Sequence, residues 1–209
     1  MLSTITRLAG FLALLGAVHG APAPLDKAVG FEGFEIVPVQ WNLPINLEDP
    51  TGKQVTVTGT IQEAIAKMDA SFPGWHKSFE DHVRNVNNSA PNLASALVEP
   101  ETWDCNVPGE DQSNYRINQG VEYLRSLSGK AVNNPGKCGR VSCSYHTGIY
   151  WCNEDTVDME LEWGKIADGA KSIIHFCQEE DDKGVYKSKG IGHWKDKYSV
   201  RVQEDWDNC

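Results

Sequence analysis

Three of the six cysteines in this chain fall within residues 138–152, and this stretch limits the possible folds more than any other. Strand-forming residues occupy 140–145 and 149–152, and a threonine and a glycine lie between them. A glycine supplies the positive φ that a two-residue hairpin turn requires. The pattern therefore predicts a β-hairpin that turns at Thr147 and Gly148.

All six cysteines lie after residue 100, and their even number in an exported chain indicates three disulfides. A turn at Thr147 and Gly148 places Cys143 opposite Cys152, and we favour this bond over one from either cysteine to Cys177. Six cysteines allow fifteen pairings, and the partners of the others stay open. No zinc site is expected, because the spacing contains no CxxC knuckle. The predicted disulfide sites are Cys105, Cys138, Cys143, Cys152, Cys177 and Cys209.

The N-terminal residues have the pattern of an export signal. Arg7 precedes an apolar run over residues 8–18, and small residues follow at 17–20. This pattern predicts a signal peptide over residues 1–20, followed by a flexible lead over 21–30. The apolar run is shorter than the roughly 20 residues that span a bilayer. We therefore expect secretion without a membrane anchor.

The charge balance is acidic, with 29 acidic residues, 19 basic residues and a formal net charge of −10. Nucleic acids and anionic membrane surfaces are polyanions, so this balance argues against both as general partners. The sequence contains no motif for a cofactor or a metal, so we expect neither. We also expect a monomer.

Residues 31–100 are predicted to form a cysteine-free α/β region that ends in a linker over 87–100. Strands are expected at 34–37 and 55–58. Thr60 and Glu63 form a capping box, which predicts a helix with Ile61, Ala64, Ile65 and Met68 on one face. A second helix is expected over 75–86. Asn87 begins the sequon Asn-Asn-Ser and is predicted to carry an N-glycan.

Residues 101–209 are predicted to form a cysteine-bearing α+β domain. Ser113 caps a helix whose apolar face comprises Ile117, Val121, Leu124 and Leu127. Apolar residues alternate over 157–163 as in a strand, a helix follows over 165–177, and a last strand lies at 198–202. These patterns predict an α+β two-layer sandwich, with a mainly antiparallel sheet, helices on one face and disulfides in its C-terminal part.

Several polar groups are candidates for chemistry, and simpler roles are expected for most of them. Asp158, Glu160 and Glu162 have the residue type of a glycosidase pair, but three carboxylates on one strand face are expected to be a solvated surface. Glycines around 189–193 are expected in a loop rather than a phosphate cradle. Surface or structural roles are expected for His76, His82, His146, His175 and His193.

Seven tryptophans are available for core packing or for stacking on sugars. The alternation over 157–163 places Trp163 in the core. Trp194 and Trp206 lie in polar surroundings, so they are the candidates for exposed contact.

The chain resembles small secreted cysteine-containing proteins of filamentous fungi over residues 101–209. The shared motifs are C-x-R-V-S-C-S-Y at 138–145, I-x-W-C-N at 149–153 and I-A-D-x-A at 166–170. Such proteins include effector candidates used against plant or insect hosts, and their layout looks distantly like the necrosis-inducing effector and killer-toxin α/β sandwiches. The resemblance implies a non-enzymatic virulence-associated protein that binds a host protein or glycan. No catalytic residue carries over from it.

Two other functions remain open from the sequence. A secreted ribonuclease-like hydrolase needs a cluster of histidine, glutamate and arginine, and His146 and Arg140 have suitable side chains. A cell-wall glycan-binding protein needs a row of exposed tryptophans. The spatial arrangement of these residues distinguishes the three functions. The expected location is extracellular, in the host apoplast or after translocation into the host.

Overall fold

The computed structural model describes residues 31, 33–89, 98–205 and 209. The predicted signal peptide over 1–20 and the flexible lead over 21–30 lie outside these residues. The helices are α1 (Ile61–Ser71), α2 (Trp75–Ser89), α3 (Asn114–Arg125) and α4 (Trp163–Cys177). The strands are β1 (Glu35–Pro38), β2 (Gln40–Pro44), β3 (Gln54–Thr58), β4 (Thr102–Asp104), β5 (Gln112–Ser113), β6 (Lys130–Asn133), β7 (Lys137–Ser144), β8 (Thr147–Asn153), β9 (Met159–Glu162), β10 (Gln178–Glu180), β11 (Tyr186–Ser188), β12 (Gly190–Trp194) and β13 (Tyr198–Glu204).

The main sheet has six strands in the order β1-β7-β8-β13-β12-β4. Its strands are antiparallel except for the parallel pair of β1 and β7. Three smaller groups accompany it: β10-β11-β5, β2-β3 and β6-β9. The predicted α+β class with a mainly antiparallel sheet is therefore confirmed.

Helices α3 and α4 approach the main sheet closely at two glycines. A Cβ atom on Gly120 of α3 would lie 2.7 Å from Ile149 Cδ1 on β8. A Cβ atom on Gly169 of α4 would lie 2.6 Å from Val200 Cγ2 on β13. Because real Cβ atoms do not make contacts this short, both positions require the absence of a side chain for the observed packing.

The two parts of the chain on either side of residue 100 contribute to one buried cluster. Trp41 of β2 stacks on Trp163 of α4, with ring centroids 4.1 Å apart. The cluster also contains Ile65 of α1, Phe79 of α2 and Val200 of β13. Hydrophobic burial therefore couples residues 31–89 to the disulfide-bonded part.

Local signals predicted the N-terminal helices well. Thr60 Oγ1 accepts a hydrogen bond from Glu63 N at 3.3 Å, and Glu63 Oε2 accepts one from Thr60 N at 2.9 Å. This capping box begins α1, whose buried residues include Ile61 and Met68. Helix α2 continues to Ser89, so Asn87 lies exposed in its last turn rather than in a linker. Residues 90–97 of the predicted linker lie outside the described residues.

The predicted turn of the central hairpin is wrong by two residues. Ser144 pairs with Thr147, so the turn consists of Tyr145 and His146. Thr147 also pairs with Glu204 of β13, and its Oγ1 donates a hydrogen bond to Gln112 Oε1 at 3.0 Å. These contacts hold Thr147 within β8, where a turn cannot form.

The change of turn also changes the cysteine pairs. Cys143 now lies opposite Gly148, and Cys138 lies opposite Cys152, after an irregularity in β7. The favoured bond between Cys143 and Cys152 is therefore wrong. The disulfides are Cys138–Cys152, Cys143–Cys209 and Cys105–Cys177, and the described residues contain no free cysteine.

Smaller differences concern the acidic strand and the last part of the chain. Strand β9 ends at Glu162, and Trp163 begins α4 but remains buried. Val157 precedes β9 and is exposed, so its predicted place in the core is wrong. The glycine-rich segment that we expected as a loop forms β12 (Gly190–Trp194).

Candidate functional site

The turn of the central hairpin has an unusual backbone. Tyr145 has a φ of 50° and His146 a φ of 64°, and both values lie in the left-handed region. Two-residue turns with this conformation usually contain asparagine, aspartate or glycine, because a bulky side chain is unfavourable there. Strained residues of this kind are concentrated at functional sites.

The last strand of the sheet holds this turn in place. Asp205 N donates a hydrogen bond to His146 O at 2.7 Å. His146 Nδ1 lies 3.3 Å from Asp205 O, a contact in which the ring nitrogen donates to the carbonyl. The disulfide between Cys143 and Cys209 also attaches the C-terminal residue of the chain to β7, next to the turn. The turn is therefore fixed by contacts that are distant in sequence.

An arginine of α3 lies against the turn. The Arg116 guanidinium lies 3.5 Å from the centre of the Tyr145 ring and 5.3 Å from that of Tyr115. Both tyrosines are 66% exposed. Among the described residues, Arg116 has no ion-pair partner, and its NH1 donates a weak hydrogen bond to Gln119 Oε1 at 3.4 Å. We call Tyr115, Arg116, Tyr145 and His146 the hairpin-tip patch.

Beneath the hairpin-tip patch, a buried carboxylate brings together two residues that the sequence proposed for a ribonuclease. Arg140 NH1 lies 3.1 Å from Asp205 Oδ2, and Tyr150 OH donates to the same oxygen at 2.5 Å. Burial lowers the pKa of Arg140, but the nearby Asp205 outweighs this effect and raises it. The His146 ring contacts Asp205 as well, but at the backbone carbonyl of Asp205. Because Asp205 is only 4% exposed, this set is structural.

A second polar group lies on the face of the main sheet away from α3 and α4. It comprises Glu154, His193, Ser199 and Arg201, and we call it the outer-face cluster. His193 Nδ1 lies 2.7 Å from Glu154 Oε1. The hydrogen bond to Glu154 raises the pKa of His193, although burial opposes it. Burial raises the pKa of Glu154, but the hydrogen bond from His193 and the nearby Ser199 hydroxyl together lower it below its usual value.

The two β13 residues of the outer-face cluster carry unsatisfied polar atoms. Ser199 Oγ lies close enough to Glu154 to affect its pKa, yet it makes no hydrogen bond of acceptable geometry. Arg201 Nε also has no hydrogen-bond partner among the described residues. The Arg201 guanidinium lies 4.1 Å from the Phe31 ring centre, and NH1 donates to Gln203 Oε1 at 3.2 Å. Burial lowers the pKa of Arg201.

The other histidines are placed apart from one another. His76 lies 3.4 Å from Glu80 on the exposed side of α2, and His82 Nε2 lies 3.0 Å from Ser126 O. His175 is exposed and packs edge-on against Phe176. The partner of His193, Glu154, was not expected from the sequence, because 39 positions separate the two residues.

The carboxylates on the acidic strand face solvent. Asp158, Glu160 and Glu162 are all exposed. Lys130 Nζ lies 3.1 Å from Glu160 Oε2, and Asn134 Nδ2 donates to Asp158 Oδ1 at 2.9 Å. Three exposed carboxylates with contacts of this kind favour a solvated surface over a glycosidase pair.

The tryptophans are mostly buried. Trp194, which we expected to be exposed, stacks on Tyr198 at 5.0 Å, and its Nε1 donates to Val98 O at 3.1 Å. That prediction is wrong, and Trp206 lies outside the described residues. Trp103 is 45% exposed and stacks on Phe176 at 4.5 Å. The described tryptophans therefore offer a single exposed ring rather than a row.

No family model matches this chain, and no curated protein or solved structure is significantly similar to it. In the part of the chain that the structure describes, none of the helices has the length and apolar character needed to cross a bilayer.

Proposed function

We propose that this chain is a secreted, non-enzymatic effector or virulence-associated protein of a filamentous fungus that acts by binding a host protein. The observation that carries the proposal is the hairpin-tip patch. Its two tyrosines are exposed, and its arginine makes no ion pair with any residue that the structure describes. The backbone at Tyr145 and His146 has a conformation that is unfavourable for these residues.

The composition of the patch is typical of interaction hot spots. Tyrosine and arginine are enriched among the residues that contribute most binding energy at protein interfaces. Tyrosine presents a large rigid ring at a low entropic cost. Stacking on Tyr145 also orders the Arg116 side chain before any partner arrives, and this preorganisation lowers the entropic cost of binding.

The charge of the patch specifies the partner further. Arg116 places a positive charge on the patch, in a chain with a formal net charge of −10. Charge complementarity across an interface fixes orientation and specificity. We therefore expect the host protein to place a carboxylate against Arg116 and an apolar surface against the two tyrosines.

The disulfides support an extracellular role. The three bonds suit an oxidising compartment, in agreement with the signal peptide that the sequence predicts.

Site-specific photo-crosslinking tests the proposal. A benzophenone amino acid replaces Tyr145 in one sample and Tyr186 in another, because Tyr186 is an exposed tyrosine on β11, outside the patch. Each protein is illuminated in extracellular fluid from host tissue. We expect one crosslinked host protein from position 145 that is absent from position 186. Excess wild-type protein should abolish it, and excess Tyr145→Ala/Arg116→Gln protein should not.

The same double variant is then compared with wild type in an infection assay. We expect the variant to lose the virulence contribution, while Tyr186→Ala retains it. Equal crosslinking from both positions, or full virulence of the double variant, would contradict the proposal. A crosslinked product that consists of glycan would assign the chain to the glycan-binding class instead.

A further inference from the structure

The outer-face cluster contains most of the unsatisfied polar atoms of the described residues. Among the described residues, three buried side-chain polar atoms lack a hydrogen-bond partner, and two of them, Ser199 Oγ and Arg201 Nε, belong to this cluster. The two residues lie two positions apart on β13, so their side chains project from the same face of the sheet. Buried polar atoms without partners are rare in native proteins, and such pairs indicate a missing ion, ligand or water.

Arg201 makes no direct ion pair among the described residues, although its side chain is partly buried. The carboxylate of Asp104 on β4 acts on it from a greater distance, but burial outweighs this effect and lowers the pKa of Arg201. Phe31 covers one face of the guanidinium, so only the donors on its edge remain for another group. Buried arginines are normally paired, because desolvation of an unpaired charge is unfavourable.

His193 adds a third donor from the neighbouring strand. It lies directly opposite Ser199 in the register of β12 and β13. Because Nδ1 contacts Glu154, Nε2 remains for another partner. The side chain is 39% exposed, which gives a ligand access to the buried atoms from this end.

We propose that the outer-face cluster binds the oxyanion of a small ligand, a phosphate or carboxylate group, through Arg201, Ser199 and His193. All three side chains supply donors, and the carboxylate of Glu154 is occupied by the imidazole. A guanidinium edge matches the geometry of two oxygens of either group. With His193 protonated, the positive charges of Arg201 and His193 balance the negative charges of Glu154 and of Asp104, which acts on Arg201 from β4. Binding therefore depends on the arrangement of the donors rather than on excess positive charge.

This site shares no residue with the hairpin-tip patch and does not depend on the proposed function. The proposal explains why the outer-face cluster contains donors without partners, which binding of a host protein at the hairpin-tip patch does not explain. A phosphorylated ligand and a carboxylated ligand would both present an oxyanion to the cluster. Titrations with phosphate and with acetate distinguish between these two classes of ligand.

The test uses the full secreted chain with its disulfides intact, labelled with ¹⁵N. Sodium phosphate and sodium acetate are titrated separately at pH 6 and at constant ionic strength maintained with sodium chloride. We expect saturable amide shifts at His193, Ser199 and Arg201. Tighter binding of phosphate identifies a phosphorylated ligand, and tighter binding of acetate identifies a carboxylated one. Shifts that do not saturate with either probe would overturn the proposal.

Substitutions within the cluster, compared with a control outside it, locate the site. Arg201→Gln should weaken binding of the preferred probe at least tenfold, and Ser199→Ala should weaken it about threefold. Arg116→Gln, in the hairpin-tip patch, should leave the affinity unchanged and serves as the control. If Arg201→Gln does not fold, Ser199→Ala and His193→Gln decide the question. Unchanged affinity in both of these would exclude the site.

Discussion

At the scale of single residues, the turn of the central hairpin combines unfavourable local conformation with favourable distant contacts. Each residue held at a strained φ lowers the free energy of unfolding by about 1–3 kcal/mol. The hydrogen bond from Asp205 N to His146 O and the stacking of Arg116 on Tyr145 offset this strain. A turn at Thr147 and Gly148 has the better local sequence, so no local rule could place the turn correctly.

The first prediction concerns the strain at His146. His146→Gly should raise the free energy of unfolding by up to about 1 kcal/mol, because glycine adopts a φ of 64° without a steric penalty and this gain exceeds the loss of the contact between Nδ1 and Asp205 O. The matched control is Thr147→Gly, which should lower the same quantity by about 1–2 kcal/mol through loss of the bond to Gln112. Urea denaturation measures both. If Thr147→Gly raised the free energy of unfolding and His146→Gly lowered it, the turn would lie at Thr147 and Gly148, as the sequence predicted.

The second prediction concerns the pH dependence of the His193 and Glu154 pair. The pKa of His193 is raised above 6.5, so its contribution to stability is complete below pH 6.5 and is lost as the pH rises through the folded-state pKa. The pKa of Glu154 is lowered below 4.5, so its contribution is present above pH 4.5 and is lost as the pH falls through the folded-state pKa. The pair therefore stabilises the fold most between about pH 4.5 and 6.5.

His193→Gln provides the measurement. The difference in the free energy of unfolding between wild type and this variant should be larger at pH 5.5 than at pH 8.5, as determined by urea denaturation. His76→Gln is the control, because His76 lies on the exposed side of α2. A difference that increases toward pH 8.5 would show that the imidazole is not stabilised in its charged form.

At the scale of elements, the sequence predicted helices better than the pairing of strands. Thr60 and Glu63 specify the start of α1 within four residues, and apolar spacing specifies its buried face. The register of β7 and β8 depends instead on β13, which pairs with Thr147 through Glu204. Ser113 lies at the N-cap of α3 without a capping hydrogen bond, so even there the local signal was only partly correct.

The third prediction tests the close contact between α4 and the sheet. Gly169→Ala should lower the free energy of unfolding by about 1–3 kcal/mol, because its methyl group would lie 2.6 Å from Val200 Cγ2. Gly164→Ala in the same helix meets no atom within 4 Å and should raise stability by up to about 1 kcal/mol. Thermal or urea denaturation of the two variants measures the contrast. Similar effects of both substitutions would show that α4 lies further from β13.

At the scale of the whole molecule, the sequence indicated how many disulfides form but not which cysteines join. The pairing depends on where β13 ends and on where α4 meets β4, and both are results of the complete fold. The outer-face cluster was missed for the same reason. Glu154 and His193 are brought together only by the pairing of β8, β13 and β12. The sequence showed that a glutamate and a histidine are present at these positions, but not that they lie together.

The last prediction concerns the contribution of each disulfide to stability. In the chain-entropy account, a bond that closes a longer loop restricts the unfolded chain more. Cys105–Cys177 spans 72 positions and Cys138–Cys152 spans 14. Replacing both cysteines of the longer loop by alanine should lower the free energy of unfolding by about 4 kcal/mol, compared with about 3 kcal/mol for the shorter loop. Denaturation of the two double variants measures this order, after peptide mapping of the unreduced wild type has confirmed the pairs. A larger loss from the shorter loop would show that packing around Cys138 and Cys152, rather than chain entropy, governs their contribution.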